Sequence, residues 1–187
     1  MKSVGDPTTP FPIDVITVLP VQPVNTGDLE EVREVLQATG IRVTLKPPIL
    51  RPRNAYDTRR RQFRAEVLLE RARICAERPI LAVTDADCYA GKLNFIFGMA
   101  EVGGRVALVS LHRLHATATH DLFRQRLAKE ILHELGHAEG LGHCRDPRCV
   151  MRFSNSLAEA DAKGGEFCSR CLRRLKAIVA CHRRTDA

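Results

Sequence analysis

Twelve consecutive residues, His133-Glu134-Leu135-Gly136-His137-Ala138-Glu139-Gly140-Leu141-Gly142-His143-Cys144, constrain this chain more than any other stretch. On a helix, residues four apart share a face, so His133 and His137 can present two imidazoles to one metal ion. Glu134 stands one step round the helix, within reach of a water on the metal but outside the ligand set. Gly140 can take a left-handed conformation, end the helix and turn the chain back. That turn brings up His143 as a third ligand and leaves the fourth position open, which separates a catalytic zinc from a structural one. A bare His-Glu-x-x-His also occurs on solvated helices by chance; Gly140 and His143 at these offsets make the pattern specific.

Beyond His143 the chain carries Cys144 and Cys149, and later Cys168 and Cys171. Two short cysteine pairs separated by a loop with Gly164-Gly165 are what a tetrahedral four-cysteine zinc site needs. All four positions would be protein thiolates, so this zinc is read as structural, pinning the loop that carries His143 and Met151. Free buried cysteines or a redox pair are the plainer readings, and the paired arrangement weighs against them. Cys75, Cys88 and Cys181 are read as ordinary core or surface residues. His112, His115 and His120 fall in a loop and make a weak third metal pattern, and His182 lies outside the knuckle spacing.

The chain has 187 residues, enough for one domain with a sizeable core. We expect a loose N-terminal segment over 1–12 and a single catalytic domain over 13–187. Within it, 13–142 forms a sheet-and-helix part, and 143–187 holds the Met-turn, the four-cysteine site and a C-terminal helix. No leader-like pattern opens the sequence and no apolar run approaches a membrane span, so a cytoplasmic location with reduced thiols is expected. The net charge of +7 is concentrated in Arg51, Arg53, Arg59, Arg60, Arg61, Arg64, Arg71 and Arg73, and in a second basic group from Arg170 to Arg184. Such groups admit nucleic acid or an acidic peptide as partner. Without interleaved exposed aromatics, a solvated helix face is the better reading. A monomer with no membrane association is expected.

Periodicity predicts a buried strand at 13–19, a helix starting near Asp28 and Glu31, and a half-buried strand at 41–45. It predicts a second helix over 58–77 with Phe63, Val67 and Ile74 inward, and strands at 80–84, 93–97 and 105–110. A long helix over 121–140 should bury Phe123, Leu127, Ile131 and Leu135 as one stripe. Strands alternating with helices give an α/β order whose first three strands should be parallel.

With these residues placed, the chain resembles the archaemetzincins, zinc peptidases of the metzincin clan. The matching string runs His-Glu-x-x-His-x-x-Gly-x-x-His-Cys, four residues, Cys149, one residue, Met151, and later Cys168-x-x-Cys171. Weaker similarity reaches back through Thr84-Asp85-Ala86-Asp87 and Leu93-Asn94-Phe95-Ile96-Phe97-Gly98. The resemblance implies an α/β (α+β variant) metzincin-like fold: a twisted mixed sheet, an active-site helix and a helical, zinc-bound C-terminal part. It implies two zinc ions per chain, a catalytic one on His133, His137 and His143 and a structural one on Cys144, Cys149, Cys168 and Cys171. Glu134 would be the general base and Met151 the Met-turn floor under the imidazoles. The stretch Asn94, Phe95, Ile96, Phe97 and Gly98 would form the cleft's edge strand, where an extended peptide could add. There are two departures. Sixteen residues separate Met151 from Cys168, one fewer than the usual family spacing. Phe153 stands where some other metzincins carry a zinc-binding tyrosine.

The expected activity is hydrolysis of a peptide or protein substrate by a metal-activated water. Asp85, Asp87 and Glu139 are the candidates to hold a substrate's α-amino group if the action is that of an aminopeptidase. The alternative is a zinc-stabilised binding module for nucleic acid or an acidic protein, with the three-histidine zinc catalytically silent; the presence of Glu134 favours the enzyme.

Overall fold

The computed structural model describes residues 11–185, apart from the side chains of Arg183 and Thr185. Five strands form the main sheet: β1 (Val15–Pro20), β2 (Arg42–Leu45), β5 (Ile80–Thr84), β7 (Gly98–Glu101) and β8 (Val106–Ser110). Their spatial order is β2-β1-β5-β8-β7, parallel throughout except for β7, which runs antiparallel along β8. Three short strands, β3 (Tyr56–Asp57), β4 (Gln62–Arg64) and β6 (Cys88–Tyr89), make a second small sheet. The helices are α1 (Thr26–Ala38), α2 (Ala65–Cys75), α3 (His120–Ala138), α4 (Leu157–Ala162) and α5 (Ser169–Thr185).

Alternation in the central strands explains why both faces of the sheet are covered. Leu81 and Val83 of β5, with Ala107 and Val109 of β8, pack into a core shared with α1, α3 and α5. Their neighbours Ile80, Ala82, Val106 and Leu108 point the other way, into a core closed by Leu68 and Ala72 of α2. The expected stripe of Phe123, Leu127, Ile131 and Leu135 is buried, and α3 packs on β7 and β8. Among the described residues, no helix is long and apolar enough to cross a membrane.

Several local expectations are corrected. Helix α1 begins at Thr26 rather than near Asp28, because the Asn25 side chain accepts the Asp28 N–H at 2.7 Å and caps the helix. β2 is an edge strand; Ile41 is buried and Val43 half-buried as expected, but Leu45 is 56% exposed. The helix expected over 58–77 starts only at Ala65. Before it, Asp57 accepts the N–H groups of Arg59 and Arg60 in a turn, and Tyr56 packs across the hairpin on Phe63 at 4.9 Å between ring centroids. Ile74, expected inward, is 66% exposed. The strand expected over 93–97 reduces to one bridge, Cys88 to Ile96, and the true edge strand begins at Gly98. Of the segment expected to be loose, residues 1–10 lie outside the described residues, and Phe11 is buried against Phe167.

One ion pair anchors α3 to α4. Arg126 is 4% exposed and holds Asp161 through Nε and Nη2, both at 2.7 Å, while its Nη1 donates to the carbonyls of Leu114 and Ala116. The hydrogen bonds and charge of Arg126 hold Asp161 below the usual carboxylate range. Asp161→Asn should therefore cost about 2 kcal/mol at neutral pH, since it weakens bonds to a buried charge. A group with a depressed pKa stabilises the fold above its unfolded value, about 4, and loses that contribution as pH falls through the folded value. Urea unfolding of the two proteins should show a gap at pH 7 that closes in acid. A gap that persists unchanged in strong acid would contradict this assignment.

Candidate active site

The last turn of α3 and the chain reversal after it build the first cluster. Gly140 sits at φ 108°, and the N–H groups of Gly140 and Leu141 return to the carbonyls of His137 and Gly136, both at 2.8 Å. That double bond pattern is the left-handed helix stop, which a side chain at position 140 would strain. The hairpin turn between β7 and β8 closes the same helix end, with Gly103 and Arg105 donating to the carbonyls of His137 and Ala138 at 3.0 and 2.9 Å. The reversed chain then delivers His143 to the two helical histidines.

His133, His137 and His143 each offer a ring nitrogen, and these atoms lie within 4.8 Å of one another. The Nδ1 of His133 faces the Val150 carbonyl at 2.7 Å and that of His137 the Leu141 carbonyl at 2.7 Å. A carbonyl only accepts, so both Nδ1 atoms carry the hydrogen, and both Nε2 atoms present lone pairs. Those two Nε2 atoms stand 3.1 Å apart. Two acceptors that close repel unless a cation lies between them. Tetrahedral ligands at a zinc–nitrogen distance of about 2.0 Å would sit roughly 3.3 Å apart, close to what is seen. Burial, the Lys163 ammonium and the neighbouring imidazole push His133 down to about 2, and burial also lowers His137 and His143. All three rings are therefore neutral, the form that binds metal.

Glu134 adds a second indication. It is 4% exposed, and its Oε2 has no hydrogen-bond partner among the described residues. Burial first, then the Glu130 carboxyl, push its pKa well above the ordinary value. Three neutral imidazoles can hold a divalent cation, and a buried carboxylate oxygen without a partner is placed to accept from a water on it. Gly98, the first residue of the edge strand, lies directly on Glu134: a Cβ there would fall 2.5 Å from the Glu134 Cγ. Gly98→Ala should displace the carboxyl and lower kcat by about 10²-fold through misplacement alone. Peptide-cleavage kinetics at unchanged metal content test this, and wild-type kcat would refute it.

The four cysteines converge as a second cluster. Their sulfurs lie within 4.8 Å of one another, with Cys144 and Cys168 3.9 Å apart, and none is in a disulfide. Tetrahedral thiolates at about 2.3 Å from zinc would be roughly 3.8 Å apart. Burial, then hydrogen bonds to neighbouring thiols, raise Cys171, and burial raises Cys149. Burial also works to raise Cys144, but the Asp146 N–H and the Arg170 guanidinium bring it down to about 7. Four packed thiols cannot all ionise without a cation among them.

Met151 is fully buried; its carbonyl accepts the Cys144 N–H at 2.8 Å, and its sulfur would meet a Cβ at Gly136 at 2.5 Å. Phe153 is 46% exposed and packs edge-on to His143, 5.0 Å between centroids. Of the stretch 94–98, Ile96 and Phe97 are buried and the Asn94 carbonyl is taken by Arg60 and Gln62. Phe95 is half-buried under the Arg113 guanidinium, leaving Gly98 as the member that reaches Glu134. Asp87 is held by Arg113 at 2.7 and 2.8 Å, Asp85 stands 3.9 Å from His112, and Glu139 faces His182 at 3.2 Å. His115 and His120 pair with Asp28 and Glu31 of α1. Two residues not singled out from the sequence also enter the site. Glu130 could have been found one helical turn before Glu134; Lys163 carried no local signal.

Comparison with known proteins finds relatives over most of the chain. The family described as peptidase family M54 matches residues 54–177. An archaemetzincin of Pyrococcus furiosus is 37% identical over 178 residues, covering 87% of this chain and 93% of the relative. One from Methanopyrus kandleri is 45% identical over 127 residues, covering 67% and 72%. The crystal structure of the Methanopyrus kandleri archaemetzincin superposes with a TM-score of 0.83 at 34% identity, covering 90% of this chain and 97% of that one. That from Archaeoglobus fulgidus superposes with a TM-score of 0.77 at 36% identity, covering 86% and 99%.

Proposed function

Given that the chain belongs to peptidase family M54 and is thus a zinc metallopeptidase, we propose that His133, His137 and His143 hold its catalytic zinc and that Glu134 is its general base. The observation that carries this reading is the pair of Nε2 lone pairs 3.1 Å apart beside a buried carboxylate oxygen lacking a donor. When bound, zinc supplies Lewis-acid chemistry, lowering the pKa of a ligating water to about 7 and polarising a carbonyl.

The chain's own residues do the rest. Glu134 takes the proton of the attacking water on its carboxylate and passes it to the departing amine. Burial and the neighbouring Glu130 carboxyl raise the affinity of Glu134 for a proton. The carbonyls of Val150 and Leu141 fix the ring orientations of His133 and His137. β7 lies at the end of the sheet order, and an extended substrate peptide adds along Gly98–Glu101, gaining affinity through its backbone with little demand on sequence. Phe153 supplies an apolar wall beside His143 and no phenol. A second zinc, on Cys144, Cys149, Cys168 and Cys171, is structural, giving two ions per chain.

The test is digestion of a diverse peptide mixture read by mass spectrometry, before and after chelation. Cleavage should vanish on removal of metal and return with added zinc, and the fragment ends will separate aminopeptidase from endopeptidase action. Cleavage by metal-free protein would overturn the reading.

A further inference from the structure

Glu130 and Glu134 lie four residues apart on α3, hence on one face, and both are buried. Two such groups out of water need a compensating charge. It arrives from another part of the chain: Lys163, with 2% of its side chain exposed, places Nζ 3.7 Å from Glu130 Oε2. The same ammonium lies 3.5 Å from Nδ1 of His133. Because that nitrogen already donates to Val150, the contact is one of proximity and not a hydrogen bond.

Lys163 is held from both sides. Its own N–H donates to the Glu159 carbonyl at 3.0 Å, and Lys129 binds the carbonyls of Ala160 and Asp161. Next to it, Gly164 is pressed so closely on the Arg148 carbonyl oxygen that a Cβ would fall 1.9 Å away. Two residues on, Glu166 accepts the Val150 N–H at 2.7 Å. The ammonium is thus delivered by a strap running from α3 to the Cys149 knuckle.

We propose that Lys163 is a positioning residue for Glu134, acting through Glu130: by drawing the Glu130 carboxylate to itself, it leaves the Glu134 carboxyl free to face the cleft. The inference rests on the function proposed above. The plainer role for a buried lysine is to neutralise Glu130 for stability alone, and the two roles differ in what the paired variant does.

The experiment compares wild type, Lys163→Met, Glu130→Gln and the double variant, each with both metals counted. Two readouts are taken: kcat and KM on a cleaved peptide, and the affinity of acetohydroxamate for the cobalt-substituted protein. The second needs no turnover, because a bound hydroxamic acid gives its proton to the neighbouring base. Lys163→Met should lower kcat by about 10²-fold, with KM within about threefold, and weaken acetohydroxamate about tenfold, at unchanged metal content. Adding Glu130→Gln should recover about tenfold in kcat, since a neutral amide no longer needs the ammonium. Wild-type kcat in Lys163→Met, an activity loss matching lost metal, or losses that simply add would overturn the proposal. Should Lys163→Met not fold, Glu130→Gln and the double variant are compared directly. Equal kcat supports positioning through Glu130, and a further tenfold drop overturns it. Should wild type show no Glu134-dependent cleavage, the peptidase reading fails, and the acetohydroxamate affinities alone decide.

Discussion

Glu134→Gln is expected to lower kcat by about three orders of magnitude, within the span a positioned general base contributes, while both metal sites stay loaded. Glutamine keeps the shape and one acceptor oxygen but cannot hold the proton. The same change should raise the stability of the metal-free protein. Glu134 is buried, crowds Glu130 and leaves Oε2 without a donor, so its negative charge destabilises the fold. An acid with a raised pKa binds more protons folded than unfolded, so wild-type stability falls as pH rises above the ordinary carboxylate range. Glutamine removes that slope, and the gap in Tm between the metal-free proteins should widen from pH 5 to pH 7. Peptide kinetics with calorimetry at the two pH values measure both effects. Full activity in the variant, or a lower Tm at pH 7, would sink the assignment.

Cys149→Ser carries the other large effect. Cys149 is fully buried, its sulfur accepts the Cys168 N–H at 3.3 Å, and its neighbour Val150 orients His133. Serine removes a soft ligand from a site whose metal affinity is folding free energy. Metal content should fall by about one zinc ion per chain. Tm should drop by roughly 10 °C, as about 4 kcal/mol does in a chain of this size. Because Val150 is the next residue, the remaining zinc should also bind more weakly, as it does when a ligand's outer partner is disturbed. Cys181→Ser, at an exposed position, is the control and should change neither quantity. Elemental analysis and thermal melts decide, and two retained ions with an unchanged Tm would defeat the four-cysteine assignment.

What could be read from the chain alone was whatever is local. The imidazoles, Glu134 and the helix stop at Gly140 follow from spacing within a few turns, and the parallel strands follow from alternation with helices. Misreadings arose where distant partners intervene. The 58–64 stretch has helical periodicity, but Asp57 takes two of its N–H groups and Tyr56 pairs with Phe63. Residues 93–97 look like a strand, yet Arg60 and Gln62 take the Leu93 and Asn94 carbonyls and bend the chain before β7. Lys163 was invisible for the same reason: its partner Glu130 lies 33 positions earlier, and only folding brings the two together.

The bonds from the β7–β8 turn to the end of α3 set how the cleft can breathe. Gly103 and Arg105 tie the β7–β8 turn to the end of α3 beside His137, so an opening of the site at that end would have to break backbone hydrogen bonds. The rim from Gly142 to Phe153 has a different footing: its own turn joins the Cys144 N–H to the Met151 carbonyl, and the Val150 N–H reaches on to the Glu166 carbonyl. The two sides of the site thus have separate anchorages, the sheet and helix on one side and the cysteine-bearing segment on the other.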